Sequence, residues 1–119
     1  MKDLAWLYVE QSGHFAEYEN EEVVSALRSQ EFEVVFFELC SMQFKFSISE
    51  TDREVLAASW GLEKYASQEP MTLEEIAKQL SITRERVRQI QTRLIAMLRN
   101  PVVFENIENH FNLSLLRKK

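Results

Sequence analysis

The chain has 119 residues, 45% of them hydrophobic and 11% aromatic, with a formal net charge of −5; this is enough apolar matter for a packed interior in one domain or two small halves sharing a core. A single cysteine, Cys40, excludes an intrachain disulfide, and no apolar run approaches the ~20 residues of a membrane span. Two glycines and two prolines speak against a many-turned β protein and for helices with short connections. Charge is divided unevenly: residues 1–70 hold 14 acids and 5 bases, and residues 71–119 hold 5 acids and 9 bases. The first half is acidic, and the second can meet phosphate. Met1-Lys2-Asp3 carries no signal-peptide cleavage pattern, so a reducing, cytoplasmic setting is expected.

Residues 3–12, DLAWLYVEQS, are expected to form a short helix with Leu4, Leu7 and Tyr8 on one face, Trp6 beside them and a stop at Gly13. His14 to Glu19 reads as a polar connection. Asn20 is expected to cap a helix that carries Glu21 and Glu22 in its first turn, where negative charge suits the dipole. That helix buries Val23, Val24 and Leu27 and runs to about Ser29. Residues 31–46, EFEVVFFELCSMQFKF, fit a helical stripe through Phe32, Val35, Phe36, Leu39, Met42 and Phe46. The run VVFF and the pair Phe44 and Phe46 also suit a strand, but a lone strand has no partner in a helical chain, so a helix is expected. Its aromatic side chains read as core of the N-terminal half, with a surface for a partner or a second copy of the chain as the alternative.

Thr51 with Glu54 three positions on predicts a capping box, followed by a helix that buries Val55, Leu56 and Trp60 and closes at Gly61. Residues 63–71, EKYASQEPM, are expected to be a loop. Thr72 and Glu75 form a second capping box before an apolar face of Leu73, Ile76, Ala77 and Leu80. Ser81-Ile82 then leaves only a very short turn before Thr83, an expected N-cap for the stretch Thr83 to Asn100, TRERVRQIQTRLIAMLRN. Val87, Ile90, Leu94 and Leu98 recur at three- and four-residue steps, and Arg84, Glu85, Arg88, Gln89 and Thr92 face away from them. Such a helix spans roughly 24 Å, enough to lie in a major groove. Two helices coupled this closely, with a small Ala77 between them, predict a helix-turn-helix. After the stop at Asn100-Pro101, Val103, Ile107 and Phe111 space a final helix, and the tail Arg117-Lys118-Lys119 is expected to fray.

The block TLEEIAKQLSITRERVRQIQTRLIAMLRNP, Thr72 to Pro101, closely resembles the fourth conserved region of sigma-70-type bacterial RNA polymerase sigma factors. TDREVLAASWGL, Thr51 to Leu62, looks like that region's first helix, and the resemblance runs from about Ser49 to Phe111. It implies an all-α fold: a sigma region 4-like helix-turn-helix DNA-binding domain over residues 49–119, behind an acidic helical module of unknown role over residues 1–46. It also implies reading of the upstream, minus-35 promoter element as double-stranded DNA, docking on the β flap of the RNA polymerase core, and contact with an activator. By resemblance, Arg84, Glu85 and Gln89 read base edges and Arg88 sits beside them on base edges or phosphate. Arg86 and Arg93, with Thr72 and Thr83 at helix N-termini, hold phosphates. The chemistry agrees, since arginine can fork to guanine, glutamate accept from cytosine and glutamine pair with adenine, while helix starts add backbone amides for phosphate. Ala96 and Met97 stand where family members often carry basic residues, which would weaken backbone contacts.

Nothing before residue 49 looks like the strand-opening domain that a working sigma factor needs. The expected role is therefore a transcription regulator acting as a split sigma or sigma-like accessory factor, bacterial and nucleoid-associated. The alternative is an adaptor or mimic of region 4 that binds the polymerase flap or an activator with little DNA reading. A partner sigma subunit and self-association through residues 31–46 are further expected contacts; a membrane is not. No enzyme is expected. His14 and His110 are far apart, one cysteine and two histidines lack zinc-like spacing, no glycine-rich phosphate loop exists, and the acids Glu17, Glu19, Glu21 and Glu22 lack EF-hand spacing. No catalytic, cofactor or metal residue is assigned, and Cys40 reads as an inert small hydrophobe.

Overall fold

The computed structural model describes residues 2–118. The described residues hold seven α-helices and two short 3-10 turns, with a single isolated bridge between Tyr18 and Arg117 as their β pairing. The fold is all-α, as expected. None of these helices is long and apolar enough to cross a membrane. Contacts divide the chain into two compact units. One is residues 48–96 with Lys2 and Asp3; the other is residues 4–47 with residues 97 onward. The sequence also parts near residue 47, but the chain re-enters the second unit at Met97.

The unit of residues 48–96 holds α4 (Glu50–Trp60), a 3-10 turn (Glu63–Tyr65), α5 (Leu73–Leu80) and α6 (Arg84–Arg99) up to Ala96. The cap of α4 lies two residues ahead of the expected Thr51–Glu54 pair. Ser49 Oγ accepts from the Asp52 amide at 3.1 Å, and Asp52 Oδ2 accepts from the Ser49 amide at 3.0 Å. Burial selects this register: Asp52 is 3% exposed, and a buried carboxylate needs partners, which Ser49 and Arg93 supply. Gly61 closes α4 at φ +66, a conformation that costs glycine little. Val55, Leu56, Ala57 and Ala58 are buried, whereas Trp60 is half-buried.

Residues 63–71 are more than the loop expected of them. Tyr65 is buried; its hydroxyl donates to Glu54 Oε2 at 3.0 Å and accepts from Gln79 Nε2 at 2.8 Å. Lys64 Nζ reaches Glu54 Oε1 at 3.0 Å, and the Glu63 amide donates to the Lys2 carbonyl at 3.1 Å. One aromatic side chain thus links α4 to α5 out of a polar stretch.

The other unit holds α1 (Leu4–Gln11), α2 (Asn20–Arg28), α3 (Phe32–Phe44), α7 (Pro101–His110) and a 3-10 turn (Leu113–Leu116). Helix α3 packs on α7 and α1, α1 on α2, and the final turn on α2 and α7. The ambiguous aromatic stretch is a helix, as expected, with its buried face shifted to Phe32, Phe36, Phe37 and Cys40. Met42, expected in the stripe, is 72% exposed. Burial pushes the Cys40 thiol up to about 12, so it stays protonated and unreactive. Asn20 begins α2 but does not cap it by a side-chain bond; Glu19 takes the N-cap position. Asn100 caps α7, its Oδ1 accepting from the amides of Val102 and Val103 at 2.9 Å, and Pro101 occupies the first turn, where its missing amide costs nothing.

Tyr8 lies fully buried at the middle of this unit, its ring 5.2 to 5.6 Å from those of Phe32, Phe36 and Phe15. Its hydroxyl finds no hydrogen-bond partner among the described residues. Tyr8→Phe removes that unsatisfied group and keeps the packing. It is expected to leave stability unchanged or raise it by about 1 kcal/mol, read as the urea midpoint; a clear loss would show that the hydroxyl is paired.

Two stretches are more ordered than their sequence suggests. The connection His14 to Glu19, expected to be polar, buries Phe15 and Tyr18. The tail, expected to fray, is pinned through Arg117 and Lys118, while Lys119 lies outside the described residues. The Lys118 amide donates to the Glu17 carbonyl at 2.7 Å and the Glu19 amide to the Leu116 carbonyl at 3.0 Å. Arg117 donates to Tyr18 Oη at 3.1 Å and to Glu108 Oε2 at 2.9 Å, and the Tyr18 hydroxyl also donates to Glu108. Those bonds, Tyr18 first and Arg117 second, hold the Glu108 carboxyl below its usual range. A carboxylate depressed in the folded state contributes stability above its unfolded pKa, near 4.3, and loses it as pH falls through the folded value. Glu108→Gln is therefore expected to unfold at lower denaturant at pH 7, with the deficit narrowing toward pH 3; a deficit independent of pH would contradict this account.

Candidate nucleic-acid interface

The site is built on the capped pair α5 and α6. Thr72 Oγ1 accepts from the Glu75 amide at 3.2 Å, and Glu75 Oε1 accepts from the Thr72 amide at 3.0 Å, so the expected capping box is present. These bonds hold the Glu75 carboxyl below its usual range. Helix α5 ends at Ser81, in the left-handed region at φ 56, where the amides of Ser81 and Ile82 both donate to the Ala77 carbonyl. Thr83 then caps α6, its Oγ1 accepting from the Arg86 amide at 3.0 Å. The turn is short because Ser81 takes a left-handed conformation, which a non-glycine residue adopts at some cost.

Ile76 and Ala77 on α5 and Val87, Ile90 and Leu94 on α6 are buried. Two polar ties link α6 to α4: Gln91 Nε2 donates to Ser59 Oγ at 2.8 Å, and Arg93 pairs with Asp52 at 3.2 Å. With that side fixed, the opposite side of the helix is left to solvent. Met97 is 1% exposed and Ala96 is exposed. Of the two positions expected to lack a backbone-contacting base, then, only Ala96 faces outward; Met97 packs inward.

The structure brings Thr83, Arg84, Glu85, Arg86, Arg88 and Gln89 together on the first two turns of α6, all of them exposed. They are not independent of one another. Arg88 donates through Nε and Nη2 to the two oxygens of Glu85, at 2.9 and 2.5 Å. Hydrogen bonding from Arg88, with a smaller contribution from Gln89, holds the Glu85 carboxyl below its usual range, and Glu85 in turn raises Arg88. The Nε/Nη2 edge of Arg88 thus lies on Glu85 in the free chain. The pair is more than half exposed on both sides, so the exchange to a base costs little. Arg84 Nη1 donates to Glu74 Oε1 at 3.0 Å. Arg86 meets no side-chain partner among the described residues.

Thr72 and Arg93 stand apart from this group. Thr72 begins α5, with its hydroxyl occupied by the cap. Arg93 is two-thirds buried beside Asp52. Sequence reasoning missed both Glu74 and Asp52 as partners. Their contacts span 10 and 41 residues, and no helical period reports a contact of that kind. Thr92, expected on the outer face, is exposed, but its hydroxyl donates to the Arg88 carbonyl at 2.9 Å.

A capped helix, a short turn and a second helix with a polar, arginine-rich outer front form a helix-turn-helix. Residues 47–100 match the family model for sigma-70, region 4. The match begins two residues before the resemblance read from the sequence and ends at Asn100, short of Phe111. Over 66 residues the chain is 36% identical to the RNA polymerase sigma factor RpoD of Helicobacter pylori strain ATCC 700392 / 26695, covering 56% of this chain and 10% of that protein. The RpoD of Helicobacter pylori strain J99 / ATCC 700824 matches at the same identity, with 9% of its length covered. The chain thus spans about a tenth of the length of the curated relatives it matches. No solved structure matches it.

Proposed function

We propose that this chain is a sigma-like transcription factor that binds duplex promoter DNA through the front of α6 and works with RNA polymerase. In this reading it acts as a split sigma or sigma-like accessory factor. The single observation that carries this reading is the exposed set Arg84, Glu85, Arg88 and Gln89 on the first two turns of a capped second helix. These side chains can recognise guanine, cytosine and adenine edges in a major groove. Arg86 and the α6 start at Thr83 contribute phosphate contacts, and Thr72 adds the α5 start. Arg93 serves chiefly to hold α6 on α4 through Asp52. The work is binding, without catalysis, in the bacterial cytoplasm. Residues 1–46 form an acidic helical module, and the DNA-reading part belongs to residues from 49 onward.

A second reading has an observation of its own. Glu74 and Glu85 occupy the two arginines that matter most, and the whole chain carries −5. An adaptor that docks on the polymerase flap or an activator, with little DNA reading, fits that balance. Selection from a pool of duplexes randomised over the contacted window separates the two. Convergence on one motif supports promoter reading. Absence of convergence, together with capture of polymerase in the absence of DNA, supports the adaptor.

A further inference from the structure

Glu74 is the second residue of α5, yet it takes no part in capping that helix, which Thr72 and Glu75 accomplish between them. Its carboxylate instead crosses the turn and accepts from Arg84 Nη1 at 3.0 Å. Arg84 is the first residue of α6. A cation there is opposed by the positive end of the helix dipole, and an arginine side chain has many rotamers to lose on binding. A carboxylate on the preceding helix answers both difficulties. It offsets the dipole and restricts the guanidinium to one region of space.

The geometry also leaves Arg84 able to read. The hydrogen bond engages Nη1 alone, so the guanidinium keeps free N–H groups for a guanine edge. The contrast with Arg88 is direct, because there Nε and Nη2 are both taken by Glu85. With its partner kept, Arg88 has only its Nη1/Nη2 edge to offer, whereas Arg84 keeps its Nε/Nη2 edge.

We infer that Glu74 is a specificity-determining positioning residue, which orients Arg84 so that it reads one particular base pair. The inference rests on the proposal that α6 reads duplex DNA. Glu74 does not touch the base; it acts through Arg84. The pair is 67% and 74% exposed, so its contribution to folding is small and its effect falls on recognition.

The test uses the full chain and the duplex enriched from the randomised pool, with each base pair of that duplex substituted in turn. Arg84→Ala identifies the base pair that Arg84 reads. Glu74→Ala is expected to lower discrimination at that same base pair by about tenfold, to leave discrimination at the others unchanged, and to leave the thermal midpoint unchanged. Glu74→Gln, which keeps an acceptor oxygen, is expected to retain part of the discrimination. In the Arg84→Ala background, Glu74→Ala is expected to change nothing further. Unchanged discrimination in Glu74→Ala, an equal change for every sequence, or additivity with Arg84→Ala overturns the inference while leaving DNA reading intact. A wild-type chain with no sequence preference overturns DNA reading and this inference together.

Discussion

Asp52→Ala is expected to destabilise the unit of residues 48–96 by about 2–4 kcal/mol, more than any surface substitution on the recognition helix. Two effects combine. The Ser49 amide loses its acceptor at 3.0 Å, and loss of a capping interaction costs about 1 kcal/mol. Arg93 loses its carboxylate at 3.2 Å, and breaking a buried ion pair from one side costs about 3–5 kcal/mol when the remaining charge is sealed from water. Arg93 remains 34% exposed and can recover some hydration, which places the expected sum below the full total. Asp52→Asn keeps the acceptor at Ser49 and should cost about half as much. The combination of Asp52→Ala with Arg93→Ala should cost less than the two singly, because both single variants remove the same Asp52–Arg93 contact. Urea unfolding followed by the fluorescence of half-buried Trp60, in a Trp6→Phe background, reports on this unit; additive losses would contradict a direct pair.

Arg88→Ala is expected to weaken binding to the cognate duplex by about 1–3 kcal/mol and to relax preference at the base pair it contacts. The loss should sit at the low end of that range. Arg88 is already paired with Glu85 at 2.9 Å, and its removal frees Glu85 as well as deleting a base contact. Glu85→Gln in the same assay separates these effects. If Glu85 mainly restrains Arg88, Glu85→Gln should strengthen binding to many sequences. If Glu85 reads cytosine, it should weaken binding to one sequence only. Arg86→Ala, which removes a cation with no side-chain partner among the described residues, should instead weaken binding to all duplexes alike and lower the salt slope by about 1.

The helices themselves were legible in the sequence wherever period and caps agreed. TRERVRQI with Thr83 in front and Val87, Ile90 and Leu94 behind admits one helix phase, and that phase is observed. The Thr72–Glu75 box was legible because no competing pair stood beside it. At α4 two overlapping pairs competed, and the choice of Ser49 with Asp52 depended on burial beside Arg93, a tertiary fact. Tyr65, Phe15 and Tyr18 were read as parts of polar connections because short-range pattern carries no signal for a single anchoring ring. The same reason explains the tail, where Arg117 is held by Tyr18 and Glu108, 99 and 9 residues away. Of the candidate site, the identities of the exposed side chains were legible and their pairing was not. Glu85 with Arg88 lies within helical reach, but Glu74 with Arg84 crosses a turn whose geometry depends on Ser81 in a left-handed conformation.

The central claim is that the front of α6 reads DNA sequence. The most direct measurement is the affinity of the full chain for its selected duplex and for a scrambled duplex of equal length and base composition, across a salt series. The account predicts that both affinities fall with salt through the phosphate contacts, while the selected duplex stays preferred by tenfold or more throughout. Equal affinities at every salt concentration would contradict it.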